Sequence, residues 1–280
     1  MKKIVLTEEE QQLIKKLYTQ GLGYKKITPY IPPYSTTVVY RFLKEEGLID
    51  PNRNVRKNFF NEDFFDNIDT EEKAYWLGYL FADGNINKRT TSVSCHPQDE
   101  EHLQKLQRSL NSQTPPKKYT QNSFGTNTEI VKFNFYSIKM VNSLRKLGCV
   151  ERKSTILQPP PYDKVPKELL NHFLRGYFDG DGSVSIVKNQ TKKLTNSYIW
   201  HIHICGTKQF LEWYKDQLKL DNAITQDSRS CDSYTLSLGG TTKVYEKFFL
   251  PLYSNATIFL PRKYFKFEQL KIKLTSPFNE

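Results

Sequence analysis

Residues 176–183 of the chain read GYFDGDGS, which places two aspartates and three glycines directly after an apolar segment with helical periodicity. The C-terminal end of a helix carries partial negative charge and disfavours a carboxylate there by a few tenths to about 1 kcal/mol. A glycine-rich turn with solvated aspartates would explain the stretch taken alone, because Asp-Gly steps are common in turns. A second occurrence of the pattern favours a role beyond a turn.

The pattern does occur twice, since residues 71–86 read EEKAYWLGYLFADGNI and residues 171–184 read NHFLRGYFDGDGSV. Each gives Gly-Tyr, an apolar residue, one variable position, a small residue and then Asp-Gly. The segments C-terminal to the two motifs also correspond, because both copies read helix, strand, strand, helix, strand, strand, helix. We therefore predict an α+β protein with two tandem pseudosymmetric αββαββα repeats, at 71–158 and 159–280.

The predicted strands have the period of two that is typical of sheets with one covered face. In IVKFNFY, Val131, Phe133 and Phe135 would face one way and Lys132, Asn134 and Tyr136 the other. In IWHIHIC, Trp200, Ile202 and Ile204 would oppose His201 and His203. The apolar sets should pack against helices, which leaves two polar faces as an open, concave saddle. A solvated sheet face without a ligand remains the alternative.

Composition points to a polyanionic partner. The chain has 280 residues, 38% of them hydrophobic, and 41 Lys and Arg against 30 Asp and Glu give a net charge of +11. Lys and Arg release counterions when they neutralise phosphates, so nucleic acid is the first candidate. No long apolar run or signal peptide is present, which predicts a soluble, cytoplasmic protein without membrane contact. The four cysteines are far apart, which argues against a zinc ribbon and a disulfide framework.

Residues 1–50 read as three short helices and resemble a helix-turn-helix DNA-binding domain. Thr7 and Glu10 form a capping box, and Ser35 can cap the third helix, which buries Val38 or Val39. The turn IPPY departs from the usual pattern, and a small helical bundle for protein contacts is the alternative reading. Residues 51–70 are predicted to be a basic linker. The residues of this domain that we expect at a DNA groove are Ser35, Thr36, Thr37, Tyr40, Arg41 and Lys44.

The two motif aspartates predict a metal centre if the two motif helices pack side by side. Gly78 and Gly176 would then allow two backbones to approach closely, and Asp83 and Asp181 would meet where the helices end. Two carboxylates about 4 Å apart repel by on the order of 4 kcal/mol at an effective dielectric of 20. Divalent cations would remove this repulsion, and oxygen-only ligands suit Mg²⁺ or Mn²⁺ better than zinc. The chemistry indicated is phosphodiester hydrolysis.

These paired motifs resemble the signature of the LAGLIDADG homing endonucleases, over roughly residues 60–275. The resemblance implies a monomeric, Mg²⁺-dependent endonuclease that cuts double-stranded DNA at a long, nearly palindromic site, with Mn²⁺ as a substitute and Ca²⁺ supporting binding without cleavage. It also implies that Asp83 and Asp181 bind metal together with the backbone carbonyls of Ala82 and Gly180. The first motif departs from the pattern because Phe81 stands where the second has Asp179.

The resemblance further implies a basic residue beside each scissile phosphate and a set of DNA-facing strand residues. Lys153 and Lys263 match the basic positions at the ends of the two repeats. Their alternative role is that of surface lysines in ion pairs. The candidate groove contacts are Asn87, Arg89, Lys132, Asn134, Ser185, Asn189, His201, His203 and Arg229.

Two other functions stay open on the same scaffold. One is a DNA-binding transcriptional regulator that no longer cuts, although loss of cutting should show as substitution of the motif acids. The other is an RNA-splicing maturase. A calcium loop at residues 179–190 is rejected, because its sixth position is Val184 and its twelfth is Gln190.

Overall fold

A computed structural model describes residues 6–20, 22–49, 59–123, 126–188, 198–227 and 232–275. The chain divides into two compact units, Met1–Lys57 and Asn58–Glu280. Each unit has its own cluster of buried apolar side chains. None of the helices in the described ranges is long and apolar enough to cross a membrane.

The N-terminal unit consists of short helices around a small core. The predicted capping box is confirmed, because the Glu10 amide donates to the Thr7 side chain while the Glu10 carboxylate accepts from the Thr7 amide. Ser35 does occupy the N-cap position of the third helix, but its side chain makes no capping hydrogen bond. The helices are α1 (Glu8–Thr19), α2 (Tyr24–Ile27), a 3₁₀ turn (Thr28–Tyr30) and α3 (Thr36–Glu45).

One face of α3 forms much of this core. Val39, Phe42 and Leu43 are buried, as the spacing of apolar residues predicts, and they pack with Ile14 of α1 and Ile27 of α2. Because the apolar residues follow the helical period, the opposite face of α3 is left to polar side chains.

The larger unit carries the two predicted repeats in the predicted order of elements. The first repeat contains α4 (Glu71–Asp83), β1 (Gly84–Ile86), β2 (Thr90–Cys95), α5 (Glu100–Ser109), β3 (Lys117–Ser123), β4 (Thr126–Tyr136) and α6 (Ile138–Lys146). The second contains α7 (Leu170–Asp181), β5 (Gly182–Lys188), β6 (Tyr198–Gly206), α8 (Lys208–Gln217), β7 (Ile224–Gln226), β8 (Tyr234–Gly239), α9 (Thr241–Val244), a π-helical segment (Tyr245–Phe249) and α10 (Leu250–Tyr253).

Each repeat folds its strands into an antiparallel sheet with the same topology. The order is β1-β2-β4-β3 in the first sheet and β5-β6-β8-β7 in the second. Along β4 and β6 the predicted alternation is confirmed, since the apolar residues from Val131 and from Trp200 onward are buried while the residues between them are partly or fully exposed. Each sheet therefore has one face in the core and one polar face.

Two features differ from the sequence prediction. The predicted linker 51–70 is too long, because residues from Asn58 onward belong to the larger unit and Phe64, Phe65 and Ile68 are buried in its core. The first part of that linker, 51–58, lies outside the described residues. An additional helix, α11 (Pro261–Thr275), follows the seven predicted elements within the second repeat and carries Lys263. It packs through Phe267 and Leu270 onto the same core.

Candidate active site

The two motif helices, α4 and α7, cross in backbone contact at their glycines. A Cβ placed on Gly78 would lie 2.0 Å from the carbonyl oxygen of Phe173, and one on Gly176 would lie 2.0 Å from that of Tyr75. No larger residue fits at either position without separating the helices. This confirms the prediction that both glycines serve the close approach of two backbones.

The helices remain in contact down to their C-terminal ends. A Cβ on Gly180 would lie 2.3 Å from the Ala82 Cβ and 3.2 Å from Oδ2 of Asp83. Asp83 and Asp181 are the last residues of α4 and α7, and each is followed at once by a strand. The two carboxylates are thus brought to one place at the end of the helix pair.

Both carboxylates lie in surroundings that disfavour their negative charge. The Asp83 side chain is open to solvent, yet desolvation by the surrounding protein and the nearby Asp181 charge raise its pKa to about 6. Desolvation also raises the pKa of the half-buried Asp181, against the positive charges of Lys153 and Lys263. The negative ends of two helix dipoles act in the same direction. A cation between the acids would relieve each of these effects.

The two predicted lysines hold backbone carbonyls at the helix ends. Lys153 Nζ donates to the carbonyl oxygens of Leu80, at 2.9 Å, and Gly84. Lys263 Nζ donates to those of Phe178 and Asp179, the latter at 2.8 Å. Lysines that bond the last carbonyls of a helix also complement its dipole. The lysines therefore supply positive charge at corresponding places in the two repeats.

The lysines differ in exposure. Lys263 is 2% exposed and lies over the Phe178 ring, and burial lowers its pKa to about 8. Lys153 is half-buried, and burial lowers its pKa as well. Its charge faces a small cavity of about 180 Å³ that it lines together with Asp181.

The residues present suit a hard divalent cation. The last carbonyls of a helix have no intrahelical donor, so the oxygens of Ala82 and Gly180 lie beside the carboxylates without a helical partner. Within the described residues, no group of three or more His, Cys, Asp and Glu side chains could hold a metal ion. The oxygens brought together at the helix ends belong to two carboxylates and backbone carbonyls, a kind of donor that suits Mg²⁺, Mn²⁺ or Ca²⁺ better than zinc.

Asp179, two residues before the second motif acid, has a separate structural role. It is buried, and it accepts hydrogen bonds from the hydroxyls of Tyr75, at 2.7 Å, and Tyr253, and from the Leu260 amide at 2.7 Å. Burial raises its pKa. It joins α7 to α4, α10 and the start of α11, which Phe81 cannot do in the first repeat.

A second buried group, which the sequence analysis missed, surrounds Arg175 of α7. Its guanidinium donates to Glu71 at 2.7 Å and to the carbonyl oxygens of Leu252, at 2.7 Å, and Ile258, at 2.9 Å. A buried arginine is stable only when its donors are paired in this way. The single hint in the sequence is a charged residue within the apolar part of the second motif helix.

His102 completes this buried region from α5. Its Nε2 lies 2.9 Å from the Tyr75 hydroxyl, whose proton goes to Asp179, so His102 donates through Nε2–H. Burial lowers the pKa of His102 to about 3, and the side chain is neutral. The polar layer around Tyr75 thus fixes α4, α5 and α7 against one another.

The polar faces of the sheets hold most of the predicted strand contacts. Lys117 and Lys132 are direct cross-strand neighbours on β3 and β4, and like charges in that position repel. His201 and His203 stack at 6.2 Å, and His203 Nδ1 bonds the Ser237 hydroxyl at 2.9 Å. Burial lowers the pKa of His203.

The remaining predicted contacts differ in their surroundings. Asn87 is exposed, but its side-chain oxygen accepts from the backbone amides of Arg89 and Thr90, so part of its role is to form the β1–β2 turn. Arg89 reaches the Tyr136 hydroxyl at 3.4 Å. Asn134 and Ser185 are exposed. Asn189 and Arg229 lie outside the described residues.

The predicted DNA-facing side of α3 is also accessible. Tyr40, at 40% exposure, packs edge-on against Tyr24 at 5.2 Å. Thr36 is half-buried. The others, Ser35, Thr37, Arg41 and Lys44, are exposed.

The architecture is similar to that of solved meganucleases. I-SmaMI bound to uncleaveable DNA with a TTCT central four gives a TM-score of 0.51 at 12% identity, covering 70% of this chain and 88% of that one. I-SmaMI with a TTGT central four gives 0.50 at 14% identity, covering 74% and 89%. I-SmaMI is a LAGLIDADG homing endonuclease. At these identities the likeness is one of fold.

No protein-family description matches the chain. A DNA polymerase of Acanthamoeba polyphaga mimivirus is 27% identical over 210 residues, which cover 60% of this chain but only 11% of the polymerase. The match concerns a small part of that protein, so its activity is not carried over. The chain has the fold of the LAGLIDADG homing endonucleases, with two antiparallel four-stranded sheets and a central pair of motif helices.

Proposed function

We propose that the chain is a site-specific endonuclease that hydrolyses one phosphodiester bond in each strand of duplex DNA. The observation that carries the proposal is the pair of carboxylates, Asp83 and Asp181, at the joined ends of α4 and α7. Each acid is followed directly by a strand of its own four-stranded sheet, so one acid serves each DNA strand. Two similar but unequal repeats suit a long, nearly palindromic site and a monomer.

The proposed ion is Mg²⁺, with Mn²⁺ as a substitute and Ca²⁺ supporting binding without cleavage. When bound, such an ion would polarise the phosphate and lower the pKa of a water molecule. Asp83 and Asp181 would hold it through their carboxylates, and Ala82 and Gly180 through their carbonyl oxygens. In the net reaction one water adds across a P–O bond, which leaves a phosphate on one fragment and a hydroxyl on the other.

Lys153 and Lys263 would act on the same phosphates through their positive charge. Both ammonium groups are held by carbonyls at the ends of the motif helices, so their positions are fixed before substrate arrives. Preorganised charge of this kind stabilises the extra negative charge that develops on phosphorus.

DNA would lie along the polar faces of the two sheets. The opposed Lys117 and Lys132 side chains repel each other, and a phosphate between them would remove that repulsion. Asn134, Ser185, His201 and His203 would contact base edges or backbone from neighbouring strands. The exposed side of α3 would provide an additional groove contact from the N-terminal unit.

Selection of cleaved molecules from random duplex DNA, with Mg²⁺ and then with EDTA, tests the proposal. We expect cuts in both strands at one site, and none in EDTA. Asp181→Asn should slow cleavage by about 100-fold or more, because a bound metal contributes several kcal/mol to the transition state. The same variant should bind the selected site in Ca²⁺ within a few-fold of wild type.

Three results would change these assignments. Tight, metal-independent binding of duplex DNA without cutting would indicate the regulator. Preference for structured RNA over duplex DNA would indicate the maturase. Complete loss of DNA binding in Asp181→Asn would mean that this acid supports the fold instead of the chemistry.

A further inference from the structure

A cavity of about 330 Å³ lies beside Asp83 and has no assigned role. It is large enough for a phosphate group and its waters. Its polar lining comes from the ends of α4 and α7, the end of β2, the turn before α5 and the start of α11. It includes three carboxylates, Asp83, Asp99 and Asp179, together with Ser94, His96, Gln98 and a single arginine, Arg262.

Arg262 is fixed at one edge of this cavity by a carboxylate. Its Nε donates to both oxygens of Asp99, at 3.0 and 3.3 Å. Asp99 is almost fully buried whereas the Arg262 side chain is 48% exposed. Within the described residues only Nε is engaged by a protein group, so the Nη donors of the guanidinium face the cavity or solvent. Those are the donors that bind phosphate oxygens in pairs.

The Asp99 carboxylate is used for Arg262 instead of for its own helix. Asp99 ends the 3₁₀ helix Pro97–Asp99, which is capped by the His96 side chain and continues directly into α5. Its own side chain makes no hydrogen bond to the first turn of α5. Its orientation towards α11 therefore serves the contact with Arg262.

The backbone on either side of Arg262 is also held in place. Two residues before it, the Leu260 amide donates to the buried Asp179 carboxylate. One residue after it, the Lys263 ammonium bonds the carbonyls of Phe178 and Asp179. Arg262 thus projects from a fixed backbone, and the charge of Arg262 lowers the pKa of Asp83 across the cavity.

The corresponding cavity beside Asp181 is built differently. Its basic residue is Lys153, whose ammonium is already bonded to two carbonyl oxygens. No arginine lines it among the described residues. The two cavities thus offer a DNA strand different cations.

We infer that Arg262 binds the backbone phosphate of the DNA strand that enters the cavity beside Asp83, and that Asp99 is the positioning residue that aims its guanidinium. The inference rests on the proposed endonuclease function and adds a contact that acts on one strand. Loss of Arg262 should therefore slow the cut of one strand while the other is cut as before, and nicked DNA should accumulate.

A nicking assay with the full-length protein tests this. Supercoiled plasmid with one selected site, labelled separately on each strand, is followed through nicked to linear product in Mg²⁺. Arg262→Gln should slow one strand roughly 10- to 100-fold, the effect of losing charged hydrogen bonds to a phosphate. Arg262→Lys should recover part of that rate. Arg145→Gln is the matched control, because Arg145 pairs with Glu151 at 2.6 Å and lines neither cavity.

The role of Asp99 is tested by combining substitutions. Asp99→Asn should slow the same strand, and adding it to Arg262→Gln should cause no further loss, because a positioning residue acts only through its partner. Thermal melting of each variant shows whether it is folded. An additive loss that affects both strands would identify Asp99 as purely structural and overturn its part of the inference.

The outcomes separate this inference from the proposed function. Wild-type protein that cuts neither strand would overturn both. Wild-type cleavage together with an Arg262→Gln variant that cuts both strands at the wild-type rate, or slows both equally, would overturn the role of Arg262 alone.

Discussion

At the scale of single residues, the site is defined by charges held in unfavourable places. Asp83 and Asp181 lie at the negative ends of two helices, close to each other and partly desolvated. Lys153 and Lys263, which are bonded to carbonyls at the helix ends, offset part of this electrostatic cost with their positive charge. Proteins commonly give up stability at sites where function needs such strain. Removal of an acid should therefore stabilise the fold while it abolishes the chemistry.

Asp83→Asn should melt at a higher temperature than wild type at pH 8 in EDTA. Desolvation by the surrounding protein and the nearby Asp181 charge raise the folded-state pKa of Asp83 from 3.8 to about 6, so the folded state binds the proton more tightly than the unfolded chain does. Ionisation at a pH above about 6 therefore destabilises the fold, and this cost disappears as the pH falls towards 4. The difference in melting temperature between variant and wild type should vanish near pH 4. Differential scanning calorimetry across this pH range provides the measurement.

Asp163→Asn is the matched control, because its surroundings shift the pKa of Asp163 in the direction opposite to that of Asp83. A hydrogen bond from Lys164 lowers the pKa of this exposed acid, so its removal should bring no gain at pH 8. Mg²⁺ should then raise the melting temperature of wild type and have little effect on Asp83→Asn, since a ligand stabilises only the state that binds it. An Asp83→Asn variant less stable than wild type at pH 8 would contradict the interpretation.

The motif acids could be predicted from the sequence because a repeated pattern marks them in two places. The hydrogen-bond partners of Asp179 and Arg175 could not be predicted in this way. Tyr253 and Leu260 are more than seventy residues from Asp179 in the chain, and their contact depends on how α10 and α11 pack. Arg262 was missed for the same reason, since its partner Asp99 belongs to the other repeat.

At the scale of elements, the strands and helices of the repeats follow directly from local patterns. The period of two along β4 and β6 predicts which face of each sheet is buried, and the structure shows the same alternation. The predicted C-terminal end of the linker was wrong, because Phe64 and Phe65 are buried in the core of the larger unit. Composition alone does not distinguish a linker from a segment that packs against a core. The central element is the crossing of α4 and α7, which depends on two glycines.

Gly176→Ala should destabilise the larger unit by about 3 kcal/mol or more. The added methyl would meet the Tyr75 carbonyl at 2.0 Å, and backbone atoms at that crossing cannot rotate away. Urea unfolding followed by circular dichroism measures the loss. Gly23→Ala is the control, because a Cβ there meets no atom within 4 Å. A Gly176→Ala variant within about 0.5 kcal/mol of wild type, the range of neutral surface changes, would show that the helices are not in backbone contact.

At the scale of the whole molecule, the chain joins a small helical unit to a larger unit with the proposed chemistry. All four proposed metal ligands and both cavities belong to Asn58–Glu280, and that unit has its own core. Residues 1–57 carry eleven Lys and Arg against six Asp and Glu, and hence close to half of the net charge of +11. The N-terminal unit should therefore contribute affinity without taking part in catalysis.

Removal of residues 1–57 should lower the affinity for the selected DNA site and shorten the nuclease-protection footprint, while metal-dependent cleavage is retained. Fewer phosphates would be neutralised, so the dependence of log Kd on log salt concentration should become shallower, by close to one unit for each phosphate that is no longer neutralised. Arg41→Gln with Lys44→Gln in the full chain is the matched control for the exposed side of α3, and it should shorten the footprint without changing the fold of the unit. If the footprint and the salt dependence are unchanged after truncation, these helices bind something other than DNA. If cleavage is lost even at saturating protein, part of the catalytic machinery lies in the N-terminal unit.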